Sequence, residues 1–126
     1  MKQIIQISLE ASRDNLDFKT EFLGKKFHVR RFGTDGDLEE AKDLLLHWNK
    51  KADAIGLGGV KFASTFKPGM KLNKEIQKLL KLGNQVHTPV TTGETLRSVG
   101  HEWSLRHIQF KYGNNYFTNA RVFFFS

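Results

Sequence analysis

Three short segments carry the residue types that hold small ligands. Gly33-Thr34-Asp35-Gly36-Asp37, Gly56-Leu57-Gly58-Gly59 and Thr91-Thr92-Gly93-Glu94-Thr95 combine glycine with hydroxyl or carboxylate groups. The first and third run directly into stretches of helical periodicity. Free amides and hydroxyls at a helix start hold a carboxylate or phosphate. Gly58 and Gly59 lack a Cβ and let a ligand approach the backbone. Thr34, Asp35, Gly58, Gly59, Thr92, Glu94 and Arg97 are therefore the candidate ligand-binding residues. The same positions have structural uses: Asp37 and Thr92 suit helix N-caps, and Gly36 and Gly93 suit turns.

No catalytic signature names a reaction. A dinucleotide fingerprint, G-x-G-x-x-G, would continue from Gly56 and Gly58 to a glycine where Lys61 stands. The chain itself is thus expected to hold no cofactor. His28, His47, His87, His101 and His107 lie on different elements, and the six-residue step from His101 to His107 is not that of a helical metal pair. No metal site is expected. With no cysteine, disulfides, Cys-based zinc sites and a thiol nucleophile are excluded.

The elements that must position these loops follow from periodicity. Gln3 to Leu9 is apolar on both parities, as in a strand covered on both faces. Between Asp17 and Arg31, two alternating runs flank Gly24 and read as a hairpin, with a single helical turn before Gly24 as the competing reading. Asp37 with Glu40 opens a helix carrying Leu38, Ala41, Leu44, Leu45 and Trp48 on one stripe. Asp53 to Gly58 is a short buried strand. Asn73 caps a second helix with Ile76, Leu79 and Leu80, closed by Gly83. A strand from Gln85 to Val90 follows, then a third helix with Leu96, Val99, Trp103 and Ile108 inward, ended by Gly113. Arg121 to Phe125 is a terminal strand. Alternation of this kind predicts an α/β fold: a three-layer, mostly parallel open sheet, a Rossmann-like or flavodoxin-like half, with three helices and an N-terminal hairpin. In such sheets ligands bind outside the strand C-termini, so all three loops should line one crevice. Trp48 and Trp103, each on an apolar stripe, should both be buried.

A chain of 126 residues suits one domain, and needs neither disulfide nor metal to fold. The opening Met1-Lys2-Gln3-Ile4-Ile5 is too short for a signal-peptide core, and no stretch approaches the ~20 apolar residues of a membrane span. A soluble cytoplasmic protein with no membrane partner is expected. The net charge of +7 admits nucleic acid or an anionic ligand. Its densest cluster, Lys67, Lys71, Lys74, Lys78 and Lys81, reads as a solvated helix face, and no RNA- or DNA-binding motif accompanies it, so nucleic acid is not the expected partner. Phe123, Phe124 and Phe125 on the terminal strand predict an apolar edge that pairs two copies into a homodimer.

Gly33-Thr34-Asp35-Gly36-Asp37-Leu38, the helix after it, and Asp53-Ala54-Ile55-Gly56-Leu57-Gly58-Gly59 together resemble the N-terminal portion of bacterial and cyanobacterial proteins labelled quinate or shikimate dehydrogenase-like. The resemblance extends more weakly through Thr92, Gly93 and Leu96 to the terminal strand. It implies that residues 1–126 are the substrate-side domain, or N-terminal fragment, of a longer protein whose nucleotide-binding half, with NAD or NADP, would follow Ser126. The family's N-V-T-x-P-x-K pattern is only echoed in Val86-His87-Thr88-Pro89, without its lysine, and no catalytic residue is carried over. Two functions follow as expectations: a substrate-side domain holding a small anionic or hydroxylated ligand, or a non-catalytic ligand-binding or interaction domain. The isolated chain is expected to show no NAD- or NADP-dependent dehydrogenase activity.

Overall fold

The computed structural model describes residues 1–60 and 73–121. The chain divides into two compact units, Met1–Thr92 and Gly93–Ser126. The first contains a five-stranded sheet: β1 (Lys2–Ser8), β2 (Leu16–Phe22), β3 (Lys25–Gly33), β4 (Ala54–Gly58) and β5 (Val90–Thr91). Their order across the sheet is β2-β3-β1-β4-β5. β1 runs parallel to β3 and β4, β4 runs parallel to β5, and only β2 is antiparallel, to β3. The expected α/β class and mostly parallel sheet are present. The terminal strand expected at Arg121 to Phe125 falls almost wholly outside the described residues.

The hairpin turns at Leu23 and Gly24, with φ of 50° and 71°. Two positive φ angles in a two-residue loop match the right-handed twist of the flanking strands.

The core lies on one face of the sheet. Ile5 and Ile7 of β1 pair with Ile55 and Leu57 of β4, and these four join Ala41, Leu45 and Leu79 in one buried cluster. Ala41 and Leu45 belong to α1 (Leu38–Trp48) and Leu79 to α2 (Lys74–Gln85), and the two helices also touch each other. Helix α1 starts where Asp37 accepts hydrogen bonds from the amides of Glu39 and Glu40 at 3.0 Å, as its sequence required. At its other end Trp48 is half-buried, stacked on Phe32 with ring centroids 6.0 Å apart and under the Arg30 guanidinium at 4.4 Å. Asn73 caps α2 by accepting from the Glu75 amide.

Helices α1 and α2 share one face of the sheet, and three expectations are corrected. The crossovers β3-α1-β4 and β4-α2-β5 move the same way across the sheet, and right-handed connections then put both helices on one side. Gly83 does not close α2; it is buried within the helix. A Cβ there would stand 3.2 Å from Val90 Cγ1 and 3.5 Å from Leu57 Cδ1, so its role is close approach to the sheet. The strand expected from Gln85 shrinks to Val90–Thr91. The segment before it is pinned to the end of α1 instead: Asn49 Oδ1 accepts from the His87 and Thr88 amides, and Thr88 Oγ1 accepts from the Lys50 amide. Finally, Trp103 is 74% exposed.

Trp103 belongs to α3 (Glu94–Tyr112) of the second unit. At 100° per residue, Leu96, Val99, Trp103 and Phe110 fall on one side of this helix and Leu105, Ile108 and Tyr112 on the other. The apolar residues thus form two opposed stripes rather than the single inward one expected. The helix ends at Gly113, as its sequence indicated. No helix among the described residues is long and apolar enough to cross a membrane.

Candidate functional site

Four parallel strands deliver their C-terminal ends to one edge: Ser8, Gly33, Gly58 and Thr91. The chain leaves β1 toward β3 on one side and leaves β4 toward β5 on the other. That reversal makes the boundary between β1 and β4 the switch point, where open α/β sheets bind ligands.

The loop after β3 folds onto the end of β1. The amides of Thr34, Asp35 and Gly36 donate to the carbonyls of Ser8, Glu10 and Leu9 at 2.8, 3.0 and 2.8 Å. Amides expected to be free for an anion are therefore engaged, and Asp37 fills the α1 N-terminus with its own carboxylate. Asp35 accepts from the Ser12 amide at 2.8 Å, and its contacts with Ser12 hold its carboxyl below the usual carboxylate range. The Thr34 side chain is buried, with no hydrogen-bond partner for Oγ1 among the described residues.

Gly58 and Gly59 abut the same segment. The Leu9 amide donates to the Gly58 carbonyl at 3.1 Å. A Cβ on Gly59 would come within 3.1 Å of the Leu9 amide nitrogen and of Glu10 Cγ, and φ there is +70°. Thr34, Asp35, Gly58 and Gly59 are thus gathered around Ser8–Glu10. Thr92 follows β5, at the same edge. β5 is three strands from β3, about 14 Å at ordinary strand spacing, so one small ligand does not span Thr34 and Thr92. Glu94 and Arg97 are exposed on the first turns of α3, in the second unit. The N-cap of α3 is Gly93, with φ 72° and no side-chain cap, not Thr92.

The register of the sheet creates a feature that sequence reasoning missed. On the face opposite α1 and α2, Arg31, Gln6, Gly56 and Thr91 stand side by side on β3, β1, β4 and β5. The next row holds Gly33, Ser8 and Gly58. Gly56 and Gly58 leave a strip of β4 without side chains. An added Cβ at Gly56 would meet only Gln6 Cγ, at 3.9 Å. One at Gly58 would lie 3.1 Å from Gln6 Nε2 and 3.2 Å from Ser8 Oγ. Gln6 and Thr91, the two walls, are exposed. Their strands lie about 10 Å apart, two strand spacings, and the Gln6 side chain leans over β4 toward Gly58.

Beside the strip, Arg31 is buried and tied down. Its guanidinium donates to the Ala11 carbonyl at 3.1 Å and to Glu10 Oε2 at 3.2 Å, and Ser8 Oγ reaches the same carboxylate oxygen at 3.1 Å. The cation and the carboxylate neutralise each other. What the strip offers a ligand is therefore neutral: the exposed Gln6 amide, the bare backbone of Gly56 and, along its far side, exposed Thr91; the Ser8 hydroxyl is buried and spent on Glu10. Only the glycines of β4 announced it in the sequence.

No group of three or more His, Asp or Glu among the described residues could hold a metal ion. Comparison with curated proteins returns no match. Residues 3–92, which end where the first compact unit ends, match the model of the family described as Domain of unknown function (DUF8753), and the chain belongs to that family.

Proposed function

We propose that the first unit binds a small hydroxylated molecule on the glycine strip of β4, between Gln6 and Ser8 on one side and Thr91 on the other. The observation that carries this reading is the Cβ-free floor at Gly56, at the switch point of a parallel sheet and bordered by neutral hydrogen-bonding groups. A neutral set selects hydroxyls over charge, since among the described residues no unpaired cation borders the strip to repay desolvation of an anion. The resemblance to quinate and shikimate dehydrogenase-like proteins supports a cyclic polyol acid as ligand, its hydroxyls on the strip and its ionised carboxylate left in water, in the role of a substrate-side domain in a Rossmann-like architecture. Hydride transfer to NAD or NADP would then fall to a further domain. Three or four neutral hydrogen bonds at about 1 kcal/mol each support an affinity of the order of millimolar.

Calorimetric titration of the chain with shikimate and with quinate tests this. Saturable binding is expected, lost in Gly56→Val, whose branched side chain would fill the strip without touching the helix-facing core. Absence of heat with both compounds, or binding unchanged in Gly56→Val, would overturn it.

A further inference from the structure

Among the described residues strand β2 ends the sheet and pairs only with β3, and all seven of its residues are exposed. Phe22 is 66% exposed and Phe18 46%. Side chains alternate along it: Leu16, Phe18, Thr20 and Phe22 share one face, Asp17, Lys19 and Glu21 the other. The two-residue turn at Leu23 and Gly24 fixes which peptide groups face outward. In such a hairpin the closing pair, Phe22 and Lys25, is hydrogen-bonded, and pairs alternate from there. Leu16, Phe18, Thr20 and Phe22 therefore spend their amides and carbonyls on β3. Those of Asp17, Lys19 and Glu21 point away from the sheet.

The charges of Lys19 and Glu21 on that edge are self-complementary in one register. Asp17 is engaged, its carboxylate 2.6 Å from His28 Nε2. Lys19 and Glu21 have no ion-pair or hydrogen-bonding side-chain partner among the described residues. A lysine on an edge strand ordinarily repels a second strand. Here an antiparallel copy with Thr20 opposite its own counterpart sets each Lys19 against the other chain's Glu21. It also sets each Phe18 against the other chain's Phe22. One step along, Lys19 would face Lys19 and Asp17 would face Glu21, which like-charge repulsion disfavours. We propose that a second copy of this chain adds to the sheet through β2, in the antiparallel register that opposes Lys19 to Glu21, making an isologous dimer. This interface is separate from the glycine strip and does not depend on ligand binding there.

Sedimentation of the full chain at rising concentration, with charge reversals, tests the proposal. Lys19→Glu and Glu21→Lys each oppose two like-charged pairs and are expected to raise the dimer dissociation constant about tenfold or more. The double reversal K19E/E21K restores the pairing and the affinity. Both positions are exposed, so circular dichroism should show folding unchanged. Because the chain has no cysteine, Thr20→Cys reports on its own position alone. A non-hydrogen-bonded antiparallel pair lies within disulfide reach, so mild oxidation should link the chains there. A wild-type chain that stays monomeric, a dimer indifferent to both single reversals, or a double reversal that fails to restore the dimer would overturn the proposal.

Discussion

At the scale of single residues, close approach explains more of this molecule than charge does. A Cβ on Gly33 would collide with the Ala11 carbonyl oxygen and stand 2.8 Å from the Ser12 amide nitrogen. That backbone crosses β3 to reach Arg31 and cannot yield without losing the Arg31–Ala11 hydrogen bond. Gly33→Ala should therefore destabilise the fold by about 1–3 kcal/mol, read as a lower urea midpoint. Asp35 tests the same corner through pH. Its folded pKa is depressed by Ser12, so the contact stabilises above the ordinary carboxylate value and is lost as pH falls through the folded one. Below about pH 4 the wild-type urea midpoint should fall more steeply than that of Asp35→Asn. Asp53, lowered by Lys2 and the Gln3 amide, adds to the wild-type fall with the same sign. Gly58 and Gly59 are conspicuous in the sequence as a glycine pair at the end of an apolar run. Gln6, Ser8 and Arg31 are not. They become neighbours only through a register joining strands some twenty-five residues apart, which no local pattern encodes.

At the scale of elements, the caps and periodicities behave as their chemistry dictates. Asp37→Ala should cost about 1 kcal/mol, since it leaves the Glu39 and Glu40 amides without their acceptor. The two tryptophans separate the helix that pattern described correctly from the one it did not. Trp48 is shielded by Phe32, Arg30 and His47, whereas Trp103 is exposed. Fluorescence of Trp103→Phe should show a shielded indole, and that of Trp48→Phe a fully hydrated one. Equal, hydrated emission from both variants would contradict the packing of α1. Trp103 was misplaced because Leu96, Val99 and Trp103 alone resemble a core stripe. Leu105, Ile108 and Tyr112 on the opposite side remove that meaning. Gly83 was misread for a related reason. Glycine late in a helix suits both a stop and a close contact, and only the position of Val90 decides between them.

At the scale of the whole molecule, alternating strands and helices were enough to read a mostly parallel α/β sheet. They did not show that α1 and α2 share a face, because the side a helix takes depends on strand order. With α1 and α2 on one face, the other face of the sheet bears the glycine strip, beside Gln6 and Thr91. The chain's net charge of +7 contributes little there, since Arg31 is already matched by Glu10. Binding at the strip should accordingly change little with added salt, because it rests on neutral hydrogen bonds. The most direct test is an amide nitrogen–proton NMR titration of the full chain with shikimate. Concentration-dependent shifts are expected at Gln6, Ser8, Gly56, Gly58 and Thr91, with the hairpin turn at Leu23 and Gly24 unmoved. No shifts at these five residues, or shifts confined to the loop at Thr34 and Asp35, would contradict binding at the strip.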